Sequence, residues 1–133
     1  MNKIKQNTHL LASEKLIGSV VSIEKNKATV SLRITKEMSV DKFSLAHGSF
    51  TFGLADYAAM VAINEPTVVL GKAEVKFTKP VIVNDKLTAI AQISEGVKGS
   101  KIPVSVKVNN AKNELVFEGV FTCFVLEKHI LEK

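Results

Sequence analysis

The chain has 133 residues, of which 46% are hydrophobic and 23% charged, with a net charge of +5 at pH 7. That length suits one domain able to bury its own core, and the composition excludes a disordered chain. A single cysteine, Cys123, excludes an intrachain disulfide and a cysteine-based zinc site. The opening Met1-Asn2-Lys3-Ile4-Lys5-Gln6-Asn7 lacks the apolar core of a signal peptide, and no apolar run reaches transmembrane length. A reducing, cytoplasmic setting without membrane contact is expected. The positive balance suits polyanionic or phosphate-bearing partners. However, the lysines are scattered and Arg33 is the only arginine, unlike the concentrated basic stripe of a nucleic-acid domain. A nucleic-acid partner is not expected.

The first strand is predicted at 17–24, followed by a turn at Lys25-Asn26-Lys27. Ala28, Val30, Leu32 and Ile34 then alternate with Thr29, Ser31, Arg33 and Thr35, the period of a half-buried strand. These two segments read as a hairpin. Residues 38–46 form an irregular lead-in to a helix that runs from Ser49 or Phe50 to about Asn64, where Glu65-Pro66 ends it. Val69, Gly71, Ala73, Val75 and Phe77 share one strand face, closed by Lys79-Pro80. Asn84-Asp85 turns into a strand with Leu87, Ala89, Ala91 and Ile93 on one face. The 95–100 segment turns again into the alternating Val104, Val106 and Val108. A long strand at 115–126 is apolar on both faces, as expected of a central strand or one covered by another subunit.

The helix carries the chemistry. Phe50, Leu54, Ala58 and Ala62 form one apolar stripe, and Phe52, Ala55, Ala59 and Ile63 supply much of the rest. A helix that is hydrophobic all round must lie inside something. Antiparallel strands joined by short turns around one such helix predict an α+β arrangement, a curved sheet wrapped on the helix. Asp56 interrupts the apolar surface, and a carboxylate that loses its water needs a partner or a purpose. Either it turns towards a donor or solvent, or it serves a reaction.

The stretch His47-Gly48-Ser49 followed by Leu54-Ala55-Asp56-Tyr57-Ala58-Ala59 resembles the His-Gly-Gly … Leu-Ala-Asp-x-Ala signature of acyl-CoA thioesterases of the phenylacetic-acid-degradation type. Phe77-Thr78-Lys79-Pro80 and Asn84-Asp85-Lys86-Leu87 fit the same family's Phe-x-x-Pro … Gly-Asp-x-Leu pattern. The resemblance covers most of 17–126. It implies the hot-dog fold, at least a homodimer or a homotetramer built from it, and a site shared between neighbouring subunits. It also implies an acyl-CoA substrate hydrolysed to a carboxylic acid and coenzyme A, with no cofactor and no metal. By resemblance, Gly48 N–H polarises the thioester carbonyl, His47 sets the turn, and Asp56 is the general base or nucleophile. Ser49 stands where a second glycine is usual, and either meets the substrate or caps the helix. Asp41 stands where relatives often carry an Asn that orients the site, and either couples to that site or shapes its loop. Lys79, Lys98 and Lys101 sit in or beside loops where this fold often meets the phosphates of coenzyme A.

A non-catalytic module that binds acyl-CoA or malonyl-CoA is the second class. Lys72-Ala73-Glu74-Val75-Lys76-Phe77 and Leu115-Val116-Phe117-Glu118-Gly119 resemble the ligand domain of bacterial fatty-acid regulators. The stretch before Ile17 offers no room for a DNA-binding helix-turn-helix. A hydratase would need a different acid and histidine arrangement. Neither a Gly-x-Ser-x-Gly elbow nor a Walker loop is present.

Overall fold

The computed structural model describes residues 4–94 and 99–133. One short helical turn, α1 (Glu14–Ile17), precedes β1 (Ser19–Glu24) and β2 (Lys27–Arg33). After a 3-10 turn at Lys36–Met38 comes the long helix α2 (Gly48–Ile63), then β3 (Val68–Phe77), β4 (Lys86–Ile93), β5 (Lys101–Asn109) and β6 (Leu115–Val125). The six strands form one antiparallel sheet in the order β1-β2-β4-β5-β6-β3, and α2 lies on its concave face. This is the hot-dog fold.

The helix can lie this close because the contact is built from small side chains. Ala28, Ala89 and Ala91 on the sheet, and Ala55, Ala58 and Ala59 on the helix, are all at most 1% exposed. Around them Val30, Leu87, Val104, Val106 and Val108 fill the floor, so the alternation read in β2, β4 and β5 points inward as expected. At the β6 end the helix meets aromatic rings instead. Phe52 lies 5.3 Å from Phe121 and 6.4 Å from Phe117, centroid to centroid.

Three local readings need correction. The segment expected to begin β1 at Ile17 is a helical turn. Ser13 caps it, and Gly18 closes it at φ +112°, where any Cβ would strike Ser31 O and Val30 Cγ1 at 2.8 Å. In β3 a bulge between Leu70 and Lys72 flips the parity. Leu70, Ala73 and Val75 pack on the core, whereas Val69 and Gly71 do not share that face. In β6 only one face is fully covered. Phe121 and Cys123 are wholly buried, but Val120 on the other face is 43% exposed.

The helix begins at Gly48, one residue before the predicted start, and ends at Asn64 as expected. Asn64 takes the left-handed conformation at φ +59°, which a C-cap asparagine tolerates. Its side-chain amide then holds the N-terminal arm, accepting from Asn7 N–H at 2.7 Å and donating to Lys5 C=O at 2.7 Å.

Gly119 leaves no room for a side chain between β6 and β3, because a Cβ there would meet Val75 Cγ1 at 2.6 Å and Glu74 O at 2.7 Å. The obstacle includes backbone, so Gly119→Ala is expected to destabilise the protein by about 1–3 kcal/mol. Urea unfolding measures this, and an unchanged midpoint would contradict it.

Candidate active site

The start of α2 is built by the residue before it. His47 adopts an extended backbone (φ −67°, ψ 136°), and its Nδ1 accepts the Ser49 N–H at 3.0 Å. His47 is therefore the N-cap, and accepting at Nδ1 assigns its proton to Nε2. The Ser49 hydroxyl also lies 2.8 Å from that nitrogen. Ser49 thus belongs to the first turn and supports the cap without being it. The Gly48 N–H has no acceptor among the described residues, at the end of the helix where backbone donors and the positive dipole concentrate.

Asp41 works at the loop before the cap. Its Oδ1 accepts from Phe43 N–H at 2.9 Å and Leu45 N–H at 3.2 Å, a turn held by its own carboxylate. The loop is then pinned by pairings of Ser39 with Ala46 and of Leu45 with Ile82. This is the loop-shaping alternative for Asp41.

A cleft of about 210 Å³ opens beside Gly48 between the helix start and the segment after β3, lined by Ala46, Gly48, Thr51, Phe77, Lys79 and Val81 among others. Phe77 roofs it, with Cε1 3.1 Å from where a Gly48 Cβ would stand, and its own ring braced edge-on against Phe117 at 5.1 Å. A Cβ at 48 would press on this ring, which would have to give by a few tenths of an ångström. Larger concavities of about 410 and 400 Å³ lie on the outer, helix-free face of the sheet, away from Gly48 and Asp56.

Asp56 sits two turns further along. Ser49, Phe52, Gly53, Asp56 and Ile63 lie along one side of α2 and are its incompletely covered residues from the second turn onward, together with the exposed Ser49 of the first. Asp56 is at the middle of that open stripe. One carboxylate oxygen, Oδ1, is buried without a hydrogen-bond partner. Loss of water pushes its pKa up to about 6. The neighbouring thiol of Cys123 is pushed up to about 12, first by burial and then by the Asp56 charge. A thiol held protonated in this way is a poor nucleophile.

Of the lysines, Lys79 lines the cleft but is ion-paired to Glu114 at 2.7 Å. Lys101 pairs in register with Phe124, seven residues along β6 from Phe117, roughly 23 Å from the Gly48 end within one chain. Lys98 lies outside the described residues. Thr51 and Phe77 belong to the cleft although the sequence reading gave neither a role there; the Gly48-x-x-Thr51 spacing, one helical turn, is the signal that places Thr51 beside Gly48. Among the described residues no three His, Cys, Asp or Glu side chains gather as a metal site, and no helix is long and apolar enough to cross a membrane.

Eight residues of helix separate Gly48 and Asp56 by roughly 12 Å along the axis.

No family model matches the chain. It is 42% identical over 121 residues to a methylthioribose-1-phosphate isomerase of Aquifex aeolicus, covering 90% of this chain and 26% of that protein. It is 30% identical over 119 residues to the transcription factor FapR of Caldanaerobacter subterraneus, covering 89% and 58%. The chain thus spans only part of the curated relatives it matches, from about a quarter to under two thirds of their length. Among solved structures, the uncharacterized protein PH1136 of Pyrococcus horikoshii is 56% identical, with a TM-score of 0.94 over 99% of this chain and 100% of the other. The PaaI protein of Escherichia coli, from the phenylacetic acid degradation operon, shares the fold at 22% identity with a TM-score of 0.77, over 86% of this chain and 83% of its own.

The raised pKa of Asp56 sets a stability test. Its folded value of about 6 lies above the ordinary 3.8, so the folded state holds the proton more tightly than the unfolded one. Stability is therefore lost as pH rises from about 4 through 6, and the full cost, about 2–3 kcal/mol, is present at pH 7.5. Asp56→Asn is expected to be more stable than wild type at pH 7.5 and level with it near pH 4. Denaturant melts at both pH values read this directly.

Proposed function

The chain belongs to the same hot-dog family as PH1136 of Pyrococcus horikoshii, and on that footing we propose that it is an acyl-CoA thioesterase, hydrolysing a thioester to a carboxylic acid and coenzyme A. The observation that carries the reading is the pairing of a free backbone N–H at Gly48 with a desolvated, unpartnered carboxylate at Asp56. Acyl transfer needs those two parts, a donor aimed at the developing oxyanion and a base or nucleophile that is not neutralised.

Two copies bring the parts together. In the chain β3 is an edge strand of ten residues, Val68–Phe77, with no partner on its outer side among the described residues. An edge of that length is normally covered. The open stripe of α2 around Asp56 likewise lacks a cover. A homodimer formed there would set Asp56 of one copy against Gly48 of the other, closing the roughly 12 Å that separates the two along one helix. Two such dimers can pair further into a tetramer.

In the reaction the thioester oxygen accepts from Gly48 N–H, and Asp56 takes a proton from water as the water oxygen bonds to the carbonyl carbon. The tetrahedral oxyanion collapses, the C–S bond breaks, and the leaving thiolate takes that proton back from Asp56. Direct attack by the Asp56 carboxylate, giving an anhydride that water then opens, uses the same two parts. His47 holds the Gly48 turn in place. Lys79 at the cleft, with Lys98 and Lys101, is assigned to the phosphates of coenzyme A, and Ser49 to the cleft mouth. We read the 133 residues as one such unit; the free, buried thiol of Cys123 suits a reducing cytoplasm.

The likeness to FapR favours a second reading, binding of a CoA thioester without turnover. Turnover separates the two. With a panel of acyl-CoA esters and thiol-release detection, Asp56→Asn is expected to lose 10²–10⁴-fold in kcat, about 3–5 kcal/mol, while still binding substrate. Wild-type kcat/KM is expected to rise with pH through about 6 as Asp56 ionises, then level off. An inactive wild type that binds acyl-CoA would select the binding role.

The shared site has its own test. Gly48→Val, which drives a side chain into Phe77, and Asp56→Asn are each expected to be inactive alone. Mixed and allowed to exchange subunits, they are expected to regain about a quarter of wild-type activity, since half the dimers carry one intact site. No regain on exchange would place both groups in one chain.

A further inference from the structure

We propose that the Thr51 hydroxyl is a second donor to the thioester carbonyl oxygen, beside the Gly48 N–H; this deepens the thioesterase reading above and rests on it. Thr51 is 2% exposed, one of two buried polar residues among those described, and it sits in a helix whose other inward side chains are apolar. Valine has the same shape and would fill that space without a hydroxyl to satisfy. A threonine there leaves a polar atom to be accounted for.

Its place in the helix says where that atom goes. Thr51 follows Gly48 by three residues, so the two lie on adjoining parts of one helix face. Side chains in a helix lean towards its N-terminus, which carries the hydroxyl up to the level of Gly48. Gly48 has no side chain to cover it, and both residues line the cleft of about 210 Å³ under Phe77. No group among the described residues is hydrogen-bonded to the hydroxyl. Thr67 and Thr78 each donate to a backbone carbonyl, of Leu126 at 2.6 Å and Leu115 at 2.7 Å. Thr51 makes no such bond among the described residues.

The nearest backbone groups are already engaged: Ala46 N–H donates to Val81 C=O at 2.8 Å, and Phe50 N–H to His47 C=O at 3.2 Å. Of the other lining residues, Leu45, Ala46, Phe77, Pro80 and Val81 are apolar, and the polar Thr78 and Lys79 are engaged with Leu115 C=O and Glu114. An acceptor oxygen entering there meets two donors, one N–H and one O–H, at the positive end of a helix. A carbonyl oxygen that gains charge as water adds is the group that uses both, because the second bond strengthens with the charge.

The test compares Thr51→Val, which keeps the shape, with Thr51→Ser, which keeps the hydroxyl, in the full chain on the same acyl-CoA panel. Thr51→Val is expected to lower kcat by roughly 10–300-fold with KM within about threefold, and Thr51→Ser to stay within about fivefold of wild type. Melting temperatures verify that both variants fold, with Thr51→Ala replacing Val if that variant does not. Full kcat in Thr51→Val, an equal loss in Val and Ser, or a loss confined to KM would each overturn the assignment. If Asp56→Asn is inactive while Thr51→Val turns over normally, the donor role falls and the thioesterase reading stands. A wild type without turnover on the whole panel removes that reading, and the donor role with it.

Discussion

The structure depends on how closely α2 can approach the sheet. Alanines meet alanines along the contact, so the helix axis lies low over β2 and β4 and the sheet has to curl to enclose it. Dispersion and burial both grow as the gap closes. At the β6 side the filling changes to phenylalanine, which lifts that flank and leaves a strip of helix uncovered between Phe52 and Ile63. Asp56 stands in that strip.

A carboxylate in this strip is a thermodynamic burden on the folded chain. Water is scarce around Asp56, and among the described residues no side chain neutralises it and one of its oxygens has no donor. A residue selected only for stability would be alanine or leucine at this point of the helix. A carboxyl with a pKa of about 6 is mostly ionised at pH 7 yet more basic than one in water. Its neighbour Cys123 shows the same low-dielectric surroundings acting in the opposite sense for reactivity, holding the thiol protonated.

The helix start solves the other half of the problem by subtraction. His47 satisfies the Ser49 N–H with its ring, and the Gly48 N–H is left without an acceptor among the described residues. Asp41 tightens the preceding loop so that the cap arrives in register, and Phe77 closes the space above. Each of these residues acts by fixing where a backbone N–H points. Gly48 and Asp56 lie roughly 12 Å apart along one helix, and the stripe that carries Asp56 has no full cover among the described residues.

Much of this was legible in the residues. Alternation marked β2, β4 and β5 correctly because each has one buried face, and the apolar surround of Asp56 identified α2 as enclosed and its acid as exceptional. The His-Gly-Ser entry pointed to the cap. Other features follow from contacts between distant segments, which no local pattern encodes. The β3 bulge at Gly71 arises where the Phe124 ring of β6 needs the space, with its Cε2 2.3 Å from a would-be Cβ. The helical turn before β1 depends on Gly18 pressing against β2. Lys79 and Glu114 are 35 residues apart, and Lys101 is carried to the far end of the sheet by strand order alone. Sequence by itself determined which residues are apolar, which backbone donors are free and where the lone acid stands, because these are properties of a strand or a helix. Tertiary structure decided which of them share a cleft, because that depends on the curl of the sheet and on which side of the helix it leaves uncovered.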